Sequence, residues 1–364
     1  MMMRAQVPQE TLQEYVLALA LGDATGCQAI AARLHDDGYP LDVLVTQLLA
    51  VAQGHVGTAW SHGRWSVGSE HRATDISAQV LTRLTEGTQR TGPTRGRVII
   101  VSAEGERHRL GVSMASAVMS HYGWETVVLG DARSAEEALY TVDLADAVAV
   151  GVSASTTSTV VGGWRTIRAL RAAGARVIAG GRQLERDQRG TRLGADAAPG
   201  DLAGADLVLR RWSHLDPPSP REDVVAPASA AVVDRLLAQL PQRVDAALGR
   251  VDTLVPELLS SGQARAIAVD DLQLSLRAAL GALLLDDPAL LADHVAWSSD
   301  VLAGYGSPRA VAHLWLQSLR DTLPTWAGDV RQIIDAMVPD GLTVVSELHQ
   351  RRAPALSSRF SPIP

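Results

Sequence analysis

The chain lacks lysine and asparagine altogether, and it has a single cysteine among its 364 residues. Without lysine there is no Schiff-base nucleophile, no pyridoxal-phosphate anchor and no phosphate-binding lysine of the Walker A or kinase type. Without asparagine there is no N-glycosylation site. Because Cys27 stands alone, an intramolecular disulfide and a cysteine-caged zinc or iron–sulfur site are also excluded.

Basic charge and long apolar runs are scarce as well. The 33 basic side chains, all of them arginine, are outnumbered by 40 acidic ones, so the formal net charge is −7. This balance argues against a dedicated nucleic-acid-binding module. No apolar run reaches the roughly 18 residues that a membrane span requires, and the start of the chain has no apolar signal core. We therefore expect a cytoplasmic protein of two or three domains that contacts neither membrane nor nucleic acid.

Apolar residues recur at helical spacing from about residue 8 to 88, as in Leu12, Tyr15 and Leu19. Turn signals rich in glycine and proline divide this stretch into four helices. Four short helices with brief loops indicate an antiparallel four-helix bundle. A linker over residues 87–96, rich in Gly, Pro and Thr, ends this first domain.

The pattern then changes to short apolar runs that alternate with amphipathic helices. The runs are RVIIVSAE, WETVVLG, AVAVGVSAS, RVIAGG and DLVLR. Strands this apolar are buried on both faces, which is typical of parallel strands with crossover helices. We predict a doubly wound, flavodoxin-like α/β domain over residues 97–212, in which ligands bind beside the carboxyl ends of the strands. After a second break, rich in proline and charge, residues 229–351 predict an all-helical third domain of six or seven helices, the first over residues 229–248 and the last over residues 340–351.

The loop after the first predicted strand contains Glu106, His108 and Gly111. A histidine at the carboxyl edge of a parallel sheet can reach outward as a metal ligand, and a nearby carboxylate can bond its other ring nitrogen. Gly111 has no side chain to obstruct the approach of a large flat ligand. The alternative for this histidine, taken alone, is an ordinary surface position in a polar loop.

Glu106-x-His108-x-x-Gly111 resembles the cobalamin-binding signature D-x-H-x-x-G. The resemblance implies that His108 replaces the dimethylbenzimidazole base as the lower axial ligand of cobalt, while the nucleotide tail of the cofactor threads into the sheet. Glu106 stands where aspartate is commoner, which keeps the carboxylate chemistry. The family's tail-binding elements map onto residues that follow two later strands, namely Ser153, Ser155, Gly180 and Gly181. Ser155 stands where a larger apolar residue or threonine is common.

A second motif, Trp60-x9-Glu70-His71, falls at one end of the predicted bundle. A tryptophan at a helix end is more often a packing residue, and a glutamate in a first turn is commonly there for the helix dipole. The spacing, however, resembles the upper-face signature of the light-sensing cobalamin proteins, whose best-known member is a bacterial transcriptional repressor that holds adenosylcobalamin. The resemblance implies that Trp60 packs on the adenosyl group, that Glu70 bonds it and that His71 helps to shield it. Ser61 stands where the repressor subfamily has a histidine that captures cobalt after illumination, and the nearest histidine is His62.

The third domain concentrates His294, Trp297, Tyr305 and His313 over about three predicted helices. One interpretation is an amphipathic bundle whose aromatic residues fill the core or a dimer interface. The Asp-His-x-x-Trp helix, followed by Gly-x-Pro and another helix, also resembles the photocobilins, which hold biliverdin noncovalently in a C-terminal globin-like domain. The resemblance implies that these four residues contact a bilin.

Together the motifs predict a photoreceptor and not an enzyme. Adenosylcobalamin would lie between the bundle and the sheet, with biliverdin in the third domain. Light would cleave the upper ligand, shift the bundle against the sheet and change the state of a homo-oligomer, and a partner protein would receive that change. Two alternatives are a corrinoid methyl carrier that serves a methyltransferase and an interaction scaffold that has lost the cofactor.

Overall fold

The computed structural model describes residues 6–86, 94–130, 146–304, 306–338 and 348. The predicted final helix over residues 340–351 and the candidate bilin residue Tyr305 therefore lie outside the described residues, apart from Leu348. Among the described helices none is both long enough and apolar enough to cross a lipid bilayer.

The N-terminal region is helical, as the apolar spacing predicts. Its helices are α1 (Gln9–Leu21), α2 (Ala24–Asp36), a composite α3, and α4 (Val67–Thr85). Side chains cap two of them, since the Asp23 carboxylate accepts from the Gly26 N–H at 2.8 Å and the Ser66 hydroxyl from the Ser69 N–H at 3.1 Å. These caps fix where α2 and α4 begin.

Helix α3 has three consecutive parts with different hydrogen-bond patterns. It begins as an α-helix at Leu41–Val43, widens into a π-helical segment at Leu44–Leu49, and returns to α-helical form at Ala50–Ser61. All four apolar residues of the widened segment are buried, and the segment contacts α2 and α4. The helix therefore ends one residue after Trp60, at the edge of the bundle.

Four parallel strands form a sheet in the order β2-β1-β3-β4, which is the order of a doubly wound domain. Their bounds are β1 (Arg97–Ser102), β2 (Glu125–Leu129), β3 (Ala147–Ser153) and β4 (Val177–Gly180). Helix α5 (Arg109–His121) follows β1, and α6 (Val160–Ala172) follows β3 after a 3₁₀ turn at Thr157–Thr159. The carboxyl ends of β1, β3 and β4 thus meet at one edge.

The run DLVLR is not a strand, so that prediction was wrong. After two short helices, α7 (Arg182–Glu185) and α8 (Arg189–Arg192), it lies inside α9 (Leu202–Trp212). Asp201 caps α9 by accepting from the Gly204 N–H at 2.6 Å, and Ala205 and Leu209 are buried at helical spacing. Asp206 accepts from the Trp124 indole at 2.8 Å, so a polar residue lies on the buried face and conceals the helical period.

The third region is helical throughout the part that the structure describes. Its helices are α10 (Pro227–Ala238), α11 (Leu240–Leu254), α12 (Gly262–Leu285), α13 (Pro288–Gly304), α14 (Ala310–Thr322) and α15 (Gly328–Asp335). A single helix over residues 229–248 is predicted, but the chain breaks at Gln239. Pro241 lacks an N–H and favours the start of a new helix. The globin-like identity of this region stays a prediction.

The sheet separates two hydrophobic cores. One core joins the bundle to α5, α9 and one face of the sheet, and the other joins the opposite face to α6 and the third region. Helix α12 packs on both α13 and α6, since a Cβ on Gly281 would lie 2.8 Å from the Leu290 side chain of α13 and 3.4 Å from Val160 of α6. The third region is therefore packed directly on the domain that carries the Glu106 and His108 loop.

Candidate functional site

The centre of the site is a buried carboxylate beneath an exposed imidazole. Glu106 lies in the loop between β1 and α5 with its side chain 1% exposed, whereas the side chain of His108 is 61% exposed. The Nδ1–H of His108 donates to Glu106 Oε1, and the His108 backbone N–H donates to the same oxygen at 3.0 Å. An ionised carboxylate only accepts, so Nδ1 carries the proton and Nε2 is the nitrogen left for a metal.

The second oxygen of Glu106 is held by the loop after β3. The Ser155 backbone N–H donates to Oε2 at 2.6 Å, and the Thr159 hydroxyl donates at 3.1 Å. Burial by itself raises the pKa of Glu106, but the hydrogen bonds from His108 and Ser155 outweigh that effect, so the pKa is lowered. Glu106 is therefore a fixed anion that orients the imidazole.

Charges from two sides act on His108. The hydrogen bond with Glu106 raises the pKa of His108, burial opposes it, and the net direction is upward. Glu70 of α4 raises this pKa further, while Arg182 at the start of α7 lowers it. Glu70 belongs to the bundle and Arg182 follows β4, so His108 lies close enough to both regions for their charges to affect it.

Two glycines on the sheet side have different roles, since Gly111 leaves open space and Gly181 allows two loops to pack closely. A Cβ on Gly111, in the first turn of α5, would meet nothing within 4 Å, so the approach to His108 is open there. Gly181 has φ +83°, and a Cβ there would lie 2.6 Å from the Ala154 carbonyl oxygen and 2.9 Å from the Ser153 hydroxyl. The Gly180 carbonyl accepts from the Ala154 N–H at 3.1 Å. The segments 153–155 and 180–181 therefore lie side by side, as the resemblance implies.

Trp60 lies at the end of α3, and its indole meets a residue of the third region. Its ring centroid is 5.8 Å from that of Trp297 on α13, with the two planes tilted by 43°. The indole Nε1 of Trp60 is buried and has no hydrogen-bond partner among the described residues. A buried donor without a partner is uncommon in folded proteins, and a bound acceptor would satisfy it.

Glu70 and His71 occupy the first turn of α4, where the sequence motif predicts them. The Thr74 hydroxyl donates to Glu70 Oε1 at 3.0 Å, and Glu70 Oε2 lies 3.5 Å from Nε2 of His71. Both side chains are half-buried. The Gln53 Oε1 lies 3.1 Å from the same hydroxyl, as a second acceptor for its one proton, and connects this turn to α3.

His62 is turned toward α13. Its Nδ1 donates to the Thr58 carbonyl at 2.8 Å, and its Nε2 lies 3.9 Å from the Asp300 carboxylate. This geometry gives no support to His62 as a substitute for the histidine that Ser61 replaces.

His294 lies where the third region meets the sheet edge. It is 2% exposed, with Nδ1 3.2 Å from the Thr157 hydroxyl and Nε2 3.1 Å from the Ser275 hydroxyl. Burial lowers the pKa of His294 to about 4. Both ring nitrogens are thus used by neighbouring side chains, and the bilin contact of His294 stays a prediction without support from its surroundings. His313 is half-buried on α14, two residues before the fully buried Trp315, whose indole donates to Asp271 at 3.3 Å.

Sequence reasoning missed two residues that the structure connects to the site, and it assigned a third, Trp297, to a bilin contact instead of to Trp60. Thr159 reaches Glu106, Thr157 reaches His294, and Trp297 meets Trp60. The run of hydroxyl residues from 155 to 159, directly after a buried strand, is the signal that points to the first two. No local pattern connects Trp297 to Trp60, because 236 positions separate them in the chain.

The fold and this geometry define a class of protein, one that holds a cofactor between a helical cap and the carboxyl edge of a parallel sheet. The family comparisons identify the cofactor. Residues 96–208 match a family model described as a B12 binding domain, and residues 11–85 match a second model with the same description. These two segments comprise the sheet and the bundle, so the chain is a cobalamin-binding protein.

Three solved structures are similar to part of the chain. The monomethylamine corrinoid protein of Methanosarcina barkeri is 20% identical, with a TM-score of 0.48, and the match covers 56% of this chain and 99% of that one. The methanol:cobalamin methyltransferase complex MtaBC of the same organism is 19% identical, with coverages of 58% and 83% and a TM-score of 0.31. A novel cobalamin-binding protein of Desulfitobacterium hafniense DCB-2 is 20% identical, with coverages of 55% and 98% and a TM-score of 0.30. No curated protein matches the chain.

The described residues fit a corrinoid. His108 presents one imidazole nitrogen for cobalt and holds the other against an ionised carboxylate. The space over Gly111 is open, and the unpartnered indole N–H of Trp60 lies at the bundle end of the site. The donor set therefore suits a flat ring that is ligated from the sheet and covered from the bundle.

Proposed function

We propose that this protein is a photoreceptor that binds adenosylcobalamin and signals through a change in its quaternary state. The observation that carries the proposal is the packing of Trp60 against Trp297 of the third region. We call Trp60 the roof, because it would cover the upper face of the cofactor. A photosensor needs its upper ligand shielded in the dark, and an indole held in this way can shield it.

The chain's own residues would bind, orient and shield the cofactor. His108 would ligate cobalt from below, with Glu106 fixing the imidazole tautomer. Ser153, Ser155, Gly180 and Gly181 would border the nucleotide tail. Trp60, Glu70 and His71 would exclude solvent from the adenosyl group. When bound, adenosylcobalamin supplies a cobalt–carbon bond that light can break.

A corrinoid methyl carrier is the main alternative, and the packing of α13 opposes it. A carrier must expose the upper face of its cofactor to a methyltransferase. Here α13 contacts both α3 of the bundle and the turn at Thr157–Thr159 beside the sheet. Displacing the bundle would break contacts within the same chain, which favours a closed roof in the resting state.

Biliverdin as a second chromophore is the part of the proposal that rests on the sequence pattern. Four residues were assigned to it, and one of them, His294, is fully engaged by Thr157 and Ser275. Absorbance after incubation with biliverdin tests this part separately. A bilin band in the red region supports it, and an unchanged spectrum contradicts it without affecting the cobalamin assignment.

Absorption spectra of the protein reconstituted with adenosylcobalamin, before and after green light, test the main proposal. We expect a histidine-ligated spectrum in the dark and a photolysed spectrum afterwards. The substitution His108→Ala should abolish histidine ligation, because among the described residues no other imidazole is hydrogen-bonded to Glu106. The control His121→Ala removes an exposed imidazole from the far end of α5 and should leave the spectrum intact.

Trp60→Ala tests the roof in the same assay. It should speed the loss of adenosylcobalamin in the dark while the histidine-ligated spectrum of retained cofactor persists.

Size-exclusion chromatography before and after illumination tests the quaternary change. A protein that accepts and releases a methyl group in the dark from a methyl donor, and whose oligomeric state ignores light, would be a carrier and would overturn the proposal.

A further inference from the structure

Helix α13 of the third region touches both walls of the cobalamin site. On the bundle side, Trp297 packs against Trp60 with ring centroids 5.8 Å apart. On the sheet side, His294, one turn earlier on the same face of α13, contacts Thr157 in the turn after β3. The loop that includes this turn also supplies the Ser155 N–H and the Thr159 hydroxyl that hold Glu106.

On the sheet side, the contact of α13 is buried and hydrogen-bonded. His294 is buried, and its two ring nitrogens contact hydroxyl groups from two different elements, Thr157 and Ser275 of α12. The imidazole also packs on Trp297, with ring centroids 5.9 Å apart and planes tilted by 35°. Trp297 therefore contacts the fixed imidazole of His294 within its own helix and also contacts the Trp60 indole of the bundle.

The carboxyl end of α13 is fitted to the turn that follows Trp60. A Cβ on Gly63, whose φ is +66°, would overlap the backbone carbonyl of Gly304, the last residue of α13. Asp300 lies 3.9 Å from His62 in the same turn. Backbone contact without intervening side chains fixes the distance between α13 and the end of α3 within a narrow range.

We propose that Trp297 is a positioning residue of the cobalamin site, which holds the Trp60 indole over the upper face so that the third region completes the site. The proposal rests on the function proposed above, because it concerns the roof over the adenosyl group. It assigns Trp297 to the cobalamin roof, a role distinct from the bilin contact that the sequence pattern suggests. The Nε1 of Trp60, which is buried and has no hydrogen-bond partner among the described residues, supports it, because the contact with Trp297 holds in place a donor that a bound ligand could satisfy.

The rates at which two cobalamins dissociate from the protein in the dark test the role assigned to Trp297. An aromatic pair of this kind accounts for about a 3- to 10-fold change in an equilibrium or rate. We expect Trp297→Ala to lose adenosylcobalamin about 3- to 10-fold faster than wild type, while hydroxocobalamin, which lacks the adenosyl group, dissociates at the wild-type rate. Trp297→Phe, which keeps an aromatic face, should recover most of the retention.

A matched control is available in the same region. Trp326 stacks on Arg235 with the guanidinium carbon 4.0 Å from its ring centroid, and both residues lie outside α13. Trp326→Ala removes an indole of equal size and should leave adenosylcobalamin retention unchanged. In the double variant Trp60→Ala/Trp297→Ala, the loss should match that of Trp60→Ala alone, because Trp297 acts through Trp60.

A measurement on the cofactor-free protein distinguishes the loss of the Trp60–Trp297 contact from general damage to the fold. Near-ultraviolet circular dichroism of the cofactor-free protein should lose the same band in Trp60→Ala and in Trp297→Ala, and keep it in Trp326→Ala. Wild-type retention in Trp297→Ala, or additive losses in the double variant, would overturn the assignment while leaving the cobalamin function intact. Failure of the wild-type chain to bind either cobalamin would overturn the proposed function itself.

Discussion

Individual residues at this site are held by hydrogen bonds that cross between elements. Glu106 stays ionised in a buried position because His108, Ser155 and Thr159 all donate to it. His294 stays neutral for the opposite reason, since its burial brings hydroxyl partners but no carboxylate that would favour the charged form. Of these two buried titratable side chains near one loop, Glu106 is therefore an anion at neutral pH and His294 is neutral.

The burial of His294 predicts how the free energy of unfolding depends on pH. Its pKa is about 4 in the folded protein, compared with 6.5 for an ordinary histidine, so the unfolded chain binds a proton more readily. Stability from this residue is present above about pH 6.5 and falls as the pH is lowered toward 4. The contribution of His294 to the free energy of unfolding should fall by about 3 kcal/mol in total, because each unit of difference between the two pKa values corresponds to about 1.4 kcal/mol.

Urea unfolding at pH 7 and pH 5 measures this effect. In His294→Gln, which can still hydrogen-bond but cannot be protonated in this range, the free energy of unfolding should fall less between the two pH values than in wild type. His35→Gln replaces an exposed imidazole on α2 and serves as the control. Equal pH slopes in His294→Gln and wild type would show that His294 does not titrate on unfolding.

At the scale of elements, the fit of α6 against the loop after β1 depends on a glycine. A Cβ on Gly162 would overlap the Glu104 carbonyl, and Arg165 of the same helix donates to the Glu104 carboxylate at 2.8 Å. Glu104 lies two residues before Glu106, so the position of α6 bears on the position of the carboxylate that orients His108. Close packing of helix on loop is therefore part of the site's construction.

A pair of glycine substitutions separates helix propensity from packing. Gly162→Ala should lower the free energy of unfolding by about 1–3 kcal/mol, because the backbone of the adjacent loop has to move. Gly249→Ala, in the interior of α11, places a methyl group in open space and should raise it by up to about 1 kcal/mol. Chemical denaturation of both variants decides the matter, and stabilisation by both would contradict the close contact at Gly162.

The elements also show how far the sequence predicts this site. Uniformly apolar runs predict β1, β3 and β4, and a parallel sheet brings their carboxyl ends together, so Glu106 and Ser155 could be placed at one edge. The helix at DLVLR was missed because Asp206 lies on its buried face, where its partner Trp124 is 82 positions away. The Trp60 and Trp297 pair was beyond prediction, since apolar periodicity indicates which face of a helix is buried but not which distant helix covers it.

At the scale of the whole molecule, the sheet lies between two hydrophobic cores and contributes residues to both. The core on one face includes β1, β3, β4, α6 and most of the third region, and Leu280 of α12 is fully buried within it. Because the same strands contribute to both cores, loosening the third region withdraws support from the sheet that carries Glu106 and His108. We expect these parts to lose stability together.

Leu280→Ala tests this coupling. Removal of a buried leucine side chain should lower the free energy of unfolding by about 2–5 kcal/mol. Hydrogen exchange should quicken in β3 and α6 as well as in α12. The control Leu207→Ala removes a leucine that is 69% exposed on α9 and should change the stability by no more than about 0.5 kcal/mol. Faster exchange confined to α12 would show that the third region opens independently.

The wide turn at Leu44–Leu49 has a consequence for how related caps are aligned. A π-helical turn accommodates one more residue than a regular turn, and each residue of an α-helix advances by about 100° around the axis. Were the segment regular, Trp60 would be rotated by about that angle and its indole would leave the side that meets Trp297. A cap with an uninterrupted third helix therefore needs one residue fewer after Pro40 to bring an indole to the same place, and an alignment that ignores this insertion would pair the wrong residues.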